Sequence, residues 1–335
     1  MKPVSTAERF ASQLALLALL VVLASGSWVG CSQSENAVGQ GVEENEADPG
    51  EDSTASSLRL ISLNPSLTAI VVSLGRGETL VGIDDYSARV LPAVADRPKV
   101  GGLFDPSLEA VVSLSPDRVL VVAGVDQKTH SERLERLGLS VDVYQNERLD
   151  QVLENIKRLG GLLAEEDLAA ERIAAIRNTQ IAVERATEGL AEPGALAIVD
   201  RSPLYIVGRE TFLDEMLVAV GARNLGAELA PGYPRTSTEW LIDARPELIL
   251  DMTPGATSAA EFWARWPSLP AVSSGRALTV EASRMSMPGP NLDESLRELA
   301  VIVHGESIRA SIEAEYNALI EAHANHAVSE QAGSL

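Results

Sequence analysis

One cysteine, four histidines and thirteen aromatic side chains are spread over 335 residues, and 27 basic residues face 48 acids. A lone cysteine, Cys31, has no partner for an intrachain disulfide and offers none of the paired spacing used by structural zinc sites. No Gly-rich phosphate loop, Gly-x-Ser-x-Gly elbow or His-Glu-x-x-His motif occurs, so the usual signs of nucleotide binding, ester hydrolysis and zinc proteolysis are missing. His323 and His326 stand three apart near the end of the chain, and His130 and His304 lie in charged helical stretches, where solvated histidines are expected. The net charge of -21 speaks against nucleic acid and against adsorption to an anionic membrane face, both of which need a basic surface. Nothing in this inventory asks for an enzyme, a cofactor or a bound metal. A secreted enzyme using a cleft stays as the outside alternative.

What the chain does have is apolar material: 45% of its residues are hydrophobic, enough to bury the cores of two domains. Residues 1–31 read as a secretory signal, with Lys2 and Arg9 ahead of the apolar run Leu14 to Ala24 and small residues leading to Val29-Gly30-Cys31. The run is short for a membrane span. Residues 32–57 hold seven acids, no base and hardly any large apolar side chain. Such a segment cannot bury enough surface to offset its ordering entropy, so a solvated acidic tether is expected.

From Leu58 onward two similar stretches set the plan. Asp105-Pro106-Ser107-Leu108-Glu109 through Ser115-Pro116-Asp117-Arg118-Val119-Leu120 overlays Arg235-Thr236-Ser237-Thr238-Glu239 through Arg245-Pro246-Glu247-Leu248-Ile249-Leu250 at a shift of 130. Each reads as a capped short helix, a Pro-acid turn and a buried strand. Ahead of each copy, Ser66 to Gly75 and Thr211 to Gly221 repeat a Gly-terminated helical spacing. Alternation of short apolar runs with helical periodicity then implies an α/β fold: two lobes, each a mostly parallel sheet flanked by helices. Between them, from about Arg148 to Glu188, apolar residues keep helical spacing, with a break expected near Gly160-Gly161 or Ala164. A long rigid helix joining the lobes, about 30 Å at 1.5 Å per residue, follows. The expected division is an N-terminal lobe at 58–146, a helical strut at 147–190, a C-terminal lobe with a terminal helix at 191–322, and a disordered tail at 323–335.

Tyr86, Phe104, Tyr205 and Tyr233 fall in loops at or beyond expected strand ends. In parallel sheets ligands gather at the carboxyl ends of strands, and aromatic walls with polar tips suit a large flat ligand. These features, with Ile61-Ser62-Leu63-Asn64-Pro65-Ser66-Leu67-Thr68, Val100-Gly101-Gly102-Leu103-Phe104, Leu204-Tyr205-Ile206-Val207-Gly208-Arg209-Glu210-Thr211-Phe212 and Gly221-Ala222-Arg223-Asn224-Leu225, resemble the substrate-binding lipoproteins of ABC importers for cobalamin and ferric chelates. The resemblance implies a monomeric receptor in the periplasm or at the cell surface, anchored by a lipid on Cys31, although Trp28 stands where the lipobox usually has an aliphatic residue. It implies ligand contacts at Tyr86, Leu103, Phe104, Tyr205, Tyr233, Met285 and Met287. Leu103 occupies a position where some cobalamin members carry Trp. It further implies that Glu109 and Glu239 dock onto the two subunits of a permease. Cobalamin or a related corrinoid is the leading ligand. A ferric siderophore, met by Arg209, Arg235 and Arg284, is second, and haem is third.

Overall fold

The computed structural model describes residues 58–281, 285 and 287–333; the signal segment with Cys31, the acidic tether and Arg284 lie outside them. In the first lobe short apolar runs become four parallel strands. Their order is β2-β1-β3-β4, with β1 at Leu60–Ser62, β2 at Leu80–Ile83, β3 at Arg118–Val122 and β4 at Val141–Tyr144. Between them run helices α1 (Pro65–Ser73), α2 (Asp85–Val90), α3 (Leu108–Ser113) and α4 (Val125–Arg136). Successive strand residues serve opposite faces. Leu60, Leu120 and Val122 enter the main core, while Ile61, Val119 and Val121 enter a separate outer core with Val111 and Leu134. Burial on both faces is what requires near-continuous apolar strands.

Two helices follow, α5 (Leu149–Leu163) and α6 (Glu166–Thr187). The break falls at Ala164, which adopts the left-handed conformation at φ 55. Gly160 permits the tight crossing: a Cβ there would lie 2.4 Å from the Cβ of Ala169. Arg76 of the first lobe clamps the break, its Nη1 donating to the Leu163 carbonyl at 3.0 Å and to Glu165 at 3.2 Å.

The second lobe repeats the pattern with a local inversion. Strands β5 (Gly194–Arg201), β8 (Leu248–Asp251) and β9 (Ala277–Thr279) are parallel, β6 (Leu204–Ile206) pairs antiparallel with β5, and β7 (Arg223–Asn224) joins the other end of β5. Helices α7 (Phe212–Ala219), α8 (Thr238–Ala244), α9 (Ala259–Trp263) and α10 (Pro270–Ser273) connect them. Helices α11 (Leu292–His304) and α12 (Ile308–Gly333) close the chain.

The 130-residue repeat is structural. Ser107 caps α3 by accepting the Ala110 N–H at 3.2 Å, and Ser237 caps α8 by accepting the Trp240 N–H at 3.3 Å. Ser115 and Arg245 both sit at positive φ, 44 and 49, just before the Pro-acid pair. The matched acids then pin their lobes. Asp117 accepts the Arg59 N–H at 2.8 Å beside β1, and Glu247 accepts the Gly194 N–H at 3.1 Å at the start of β5.

Helix α6 is the junction. Its Ala169, Ile176, Ala182 and Val183 belong to one apolar cluster that also holds Leu60 and Leu120 of the first sheet, Ala195 and Leu250 of the second, and Leu296 and Ile312 of the last two helices. Arg297 donates to Thr179 at 2.8 Å, Arg172 bonds Asp293, and Arg185 lies 3.6 Å from Glu315, so α11 and α12 grip the same helix. One expectation is corrected: residues 323–333, read as a disordered tail, continue α12 to Gly333. The stretch carries three Ala, one Glu and one Gln and, before Gly333, neither Gly nor Pro, so nothing in it breaks the helix where polarity alone suggested fraying.

Because Ile176 is fully buried in this shared core whereas Ile181 on the same helix is 37% exposed, Ile176→Ala is expected to cost about 2–5 kcal/mol and Ile181→Ala about 0.5 kcal/mol or less. Denaturant unfolding of both variants checks this; equal losses would mean that α6 is not the shared spine.

Candidate functional site

The aromatic residues singled out in the sequence fall into two groups, one per lobe. In the first, β2 ends in Asp84, whose side chain caps α2, and Tyr86 lies in the first turn of that helix, half-buried. The Asp85 N–H donates to the Gly101 carbonyl at 2.9 Å, tying α2 to the loop that carries Leu103 and Phe104. That loop is closed by a bridge between Gly101 and Pro106. Gly101 has φ 101, and a Cβ on it would lie 2.9 Å from the Asp105 carbonyl and the Ser107 nitrogen, so only glycine closes the loop without strain. Phe104 is 48% exposed. Its carbonyl lies 3.1 Å from Nε2 of His130 on α4, which requires the proton on Nε2. His130, expected to be solvated, is half-buried, and its Nδ1 is buried with no hydrogen-bond partner among the described residues. The guanidinium of Arg89 lies 4.7 Å over the Tyr86 ring, covering one of its faces.

In the second lobe β6 continues into a ribbon with residues 230–236. The Ile206 N–H donates to the Pro234 carbonyl at 3.1 Å, the Gly208 N–H to Gly232 at 2.8 Å and the Thr236 N–H to Leu204 at 2.9 Å. This pairing sets Tyr205 opposite Arg235, two residues from Tyr233. Tyr233 is 54% exposed, yet its hydroxyl pKa is raised, first by desolvation and then by the Glu147 carboxylate. The ring is therefore accessible while its hydroxyl is partly desolvated. Glu147 follows β4, in the segment whose next residues are bonded to the second lobe. Next to it, Arg148 lies 3.1 Å from Glu215 of α7, and the Leu149 N–H donates to the same carboxylate at 2.7 Å.

Other expected contacts divide. Met287 is half-buried beyond β9. Met285 is 4% exposed and packs in the main core, so its assignment to the ligand wall is corrected: a thioether without accessible surface adds packing rather than contact. Arg209 is engaged, 3.5 Å from Glu210 and donating to the Ala227 carbonyl at 3.3 Å. Arg235 is exposed.

A buried aspartate stands at a strand end in each lobe. Asp84 and Asp251 are both 0% exposed. Asp251, at the end of β8, accepts from Arg201 at 2.8 Å, Trp263 at 2.6 Å and the Thr253 N–H at 3.0 Å. Asp84 accepts only from amides and a hydroxyl. Glu109 and Glu239 are exposed in the first turns of α3 and α8 and meet no cation at ion-pair distance among the described residues. The Ser237 hydroxyl, and then its own backbone, hold the Glu239 carboxyl below the usual range. Among the described residues no group of three His, Cys, Asp or Glu side chains is placed to hold a metal ion. A hollow of 310 Å³ lined by Arg297, Val301, Arg309, Ile312, Glu313 and Asn317 belongs to the α11–α12 pair and contains none of the aromatic residues.

Two mostly parallel sheets joined by a pair of helices, with aromatic loops at the strand ends, describe a two-lobed binding protein. Residues 60–282 match the periplasmic binding protein family, and the chain belongs to it. It is 26% identical over 280 residues to the cobalamin-binding protein of Halobacterium salinarum (strain R1), covering 78% of this chain and 74% of that one. It is 25% identical over 263 residues to an ABC transporter substrate-binding lipoprotein of Bacillus subtilis (strain 168), covering 75% and 81%. The fold is shared with the periplasmic haem-binding protein of Roseiflexus sp. RS-1 in apo form. That likeness has a TM-score of 0.65 at 23% identity and covers 77% of this chain and all of that one.

The raised Tyr233 pKa gives a titration test. Its phenol is expected to ionise above the ordinary value of 10.0, and Glu147→Gln is expected to lower that midpoint without restoring the ordinary value, because desolvation remains. Since the folded pKa exceeds the unfolded one, this group contributes a loss of stability as pH rises between the two values. An ultraviolet difference titration against Tyr233→Phe reads the midpoint; no change in Glu147→Gln would place Glu147 away from the ring.

Proposed function

We propose that this chain is the extracytoplasmic receptor of an ABC importer, capturing cobalamin or a related corrinoid between its lobes and delivering it to the permease. The observation that carries the reading is the pair of aromatic walls, Tyr86 with Leu103 and Phe104 on one lobe and Tyr205 with Tyr233 on the other. They lie in loops at strand ends, in a family whose relatives include a cobalamin-binding protein. Large flat ligands are held by such walls through apolar contact, with a few polar tips fixing orientation. Arg209 is already engaged with Glu210 and the Ala227 carbonyl, which ranks an anionic ferric siderophore below the corrinoid, with haem third. A lipid on Cys31 and the acidic segment after it would tether the receptor to the membrane.

Glu109 and Glu239 are the proposed docking residues. They occupy the same place in two copies of one local motif, as a partner presenting the same basic pocket twice would require. The shared core around α6 limits lobe motion, so capture proceeds with little closure.

Calorimetry of the purified protein with cyanocobalamin, a ferric hydroxamate and haem tests the ligand. Micromolar or tighter binding, about 8 kcal/mol or more, is expected for cyanocobalamin alone; binding of the ferric chelate alone would move the assignment to siderophores. Glu109→Ala combined with Glu239→Ala is expected to leave that affinity unchanged and to reduce uptake by cells. Unimpaired uptake would reject the docking role and leave each glutamate as a contributor of about 0.3–1 kcal/mol to its helix terminus.

A further inference from the structure

Asp84 is fully buried, yet among the described residues no cation lies at ion-pair distance from it. Its Oδ1 accepts the N–H groups of Tyr86 and Ser87, each at 2.9 Å, and its Oδ2 accepts the Ser87 hydroxyl. The Ser87 oxygen lies 3.1 Å from the Thr68 hydroxyl, which reaches Ser62 at 2.8 Å and the Asn64 carbonyl at 3.0 Å. The backbone on either side is held as well. The Asp84 N–H donates to Ser62 at 3.1 Å and the Asp85 N–H to Gly101 at 2.9 Å. The ends of β1 and β2, the first turn of α1 and the Gly101 loop thus converge beneath Tyr86.

An ionisable cap is an unexpected choice here. Other described caps whose side chains bond a helix N–H are neutral: Asn64, Ser107, Thr211, Ser237 and Ser258. Burying a carboxyl among hydroxyls carries a desolvation penalty that a serine cap would avoid, and burial does push the Asp84 carboxyl up, against the pull of Ser87 and Tyr86. What two carboxyl oxygens add over one hydroxyl is a three-point grip. They satisfy two successive amides and lock the Ser87 side chain to Thr68 of α1. Helix α2 has only six residues, too few to hold its own geometry without such support.

We propose that Asp84 is a positioning residue for the ligand wall: it acts through Tyr86, fixing where that ring stands against the ligand, an inference that rests on the reading of Tyr86 as a ligand contact. Asparagine should substitute well. It keeps an acceptor for both amides and offers a donor in place of Oδ2, so the Ser87 hydroxyl becomes the acceptor and turns its own proton toward Thr68.

The test uses the full chain, with cyanocobalamin and haem as calorimetric probes, and compares wild type with Asp84→Ala, Asp84→Asn, Tyr86→Ala and the Asp84→Ala/Tyr86→Ala pair. Asp84→Ala is expected to weaken binding about tenfold, Asp84→Asn less than about threefold, and Asp84→Ala in the Tyr86→Ala background not at all, since contacts acting through one side chain are non-additive. In ligand-free protein, amide exchange at Tyr86 and Ser87 is expected to speed up about tenfold in Asp84→Ala, as loss of a cap implies, with β1 and β3 unchanged. Equal losses of affinity with and without Tyr86, or unchanged exchange at the two amides, would overturn the proposal. If wild type binds neither probe, the ligand assignment fails and the exchange result alone decides whether Asp84 places Tyr86. Should Asp84→Ala not fold, Asp84→Ser, which keeps one acceptor, replaces it in the cycle.

Discussion

The rest of the structure depends on one continuous apolar core in which buried residues of α6 are joined with those of both lobes. Ile176, Ala182 and Val183 lie in a core that reaches Leu60 and Leu120 in one sheet and Ala195 and Leu250 in the other. Apolar area removed from water in one continuous cluster cannot be re-exposed on one side without cost to the other. The arginines around it set direction: Arg76 fixes the α5–α6 break to the first lobe, while Arg172 and Arg297 bind the helix to α11. A chain built this way presents the loops of both lobes on one shared core.

On that frame the two lobes use the same local grammar. A hydroxyl-capped short helix ends in a left-handed residue, and the next acid accepts the amide that opens the central strand. Repetition places one exposed glutamate per lobe in the same setting. The lobes diverge where ligand chemistry would act. The buried acid of the second lobe is neutralised by Arg201 and braced by Trp263, whereas that of the first, among the described residues, accepts from two amides and one hydroxyl. An acid compensated by a guanidinium makes a stiff, charge-balanced corner; an acid held by amides makes a geometry that depends on each hydrogen bond.

The chain's electrostatics are consistent with a rim that selects by shape. With 48 acids against 27 bases, Arg209 is drawn into pairing with Glu210 and Arg89 lies over Tyr86. Fewer guanidiniums are then left to meet an anionic ligand. Tyr233, whose hydroxyl pKa is raised by desolvation and by Glu147, presents an exposed ring.

Much of this was legible before any coordinates. Strands β2 and β3 coincide with their apolar runs, the Ser107 and Ser237 caps stand where hydroxyl followed by helical spacing put them, and the repeat foretold two lobes; these are short-range properties, written in periodicity and turn chemistry. Other features needed the fold. Met285 reads equally well as core or wall, because a thioether suits both, and only packing sends it inward. His130 looks like a solvated helical residue until α4 meets the Phe104 loop. Asp84 is one of two adjacent acids in sequence, and its neighbour Asp85 is exposed; burial is a property of what converges from Ser62, Thr68 and Gly101. Local sequence thus determined the elements and their caps, since those depend on neighbours within a few residues. Tertiary structure decided which polar groups lost their water, because desolvation is imposed by chain segments far apart in sequence.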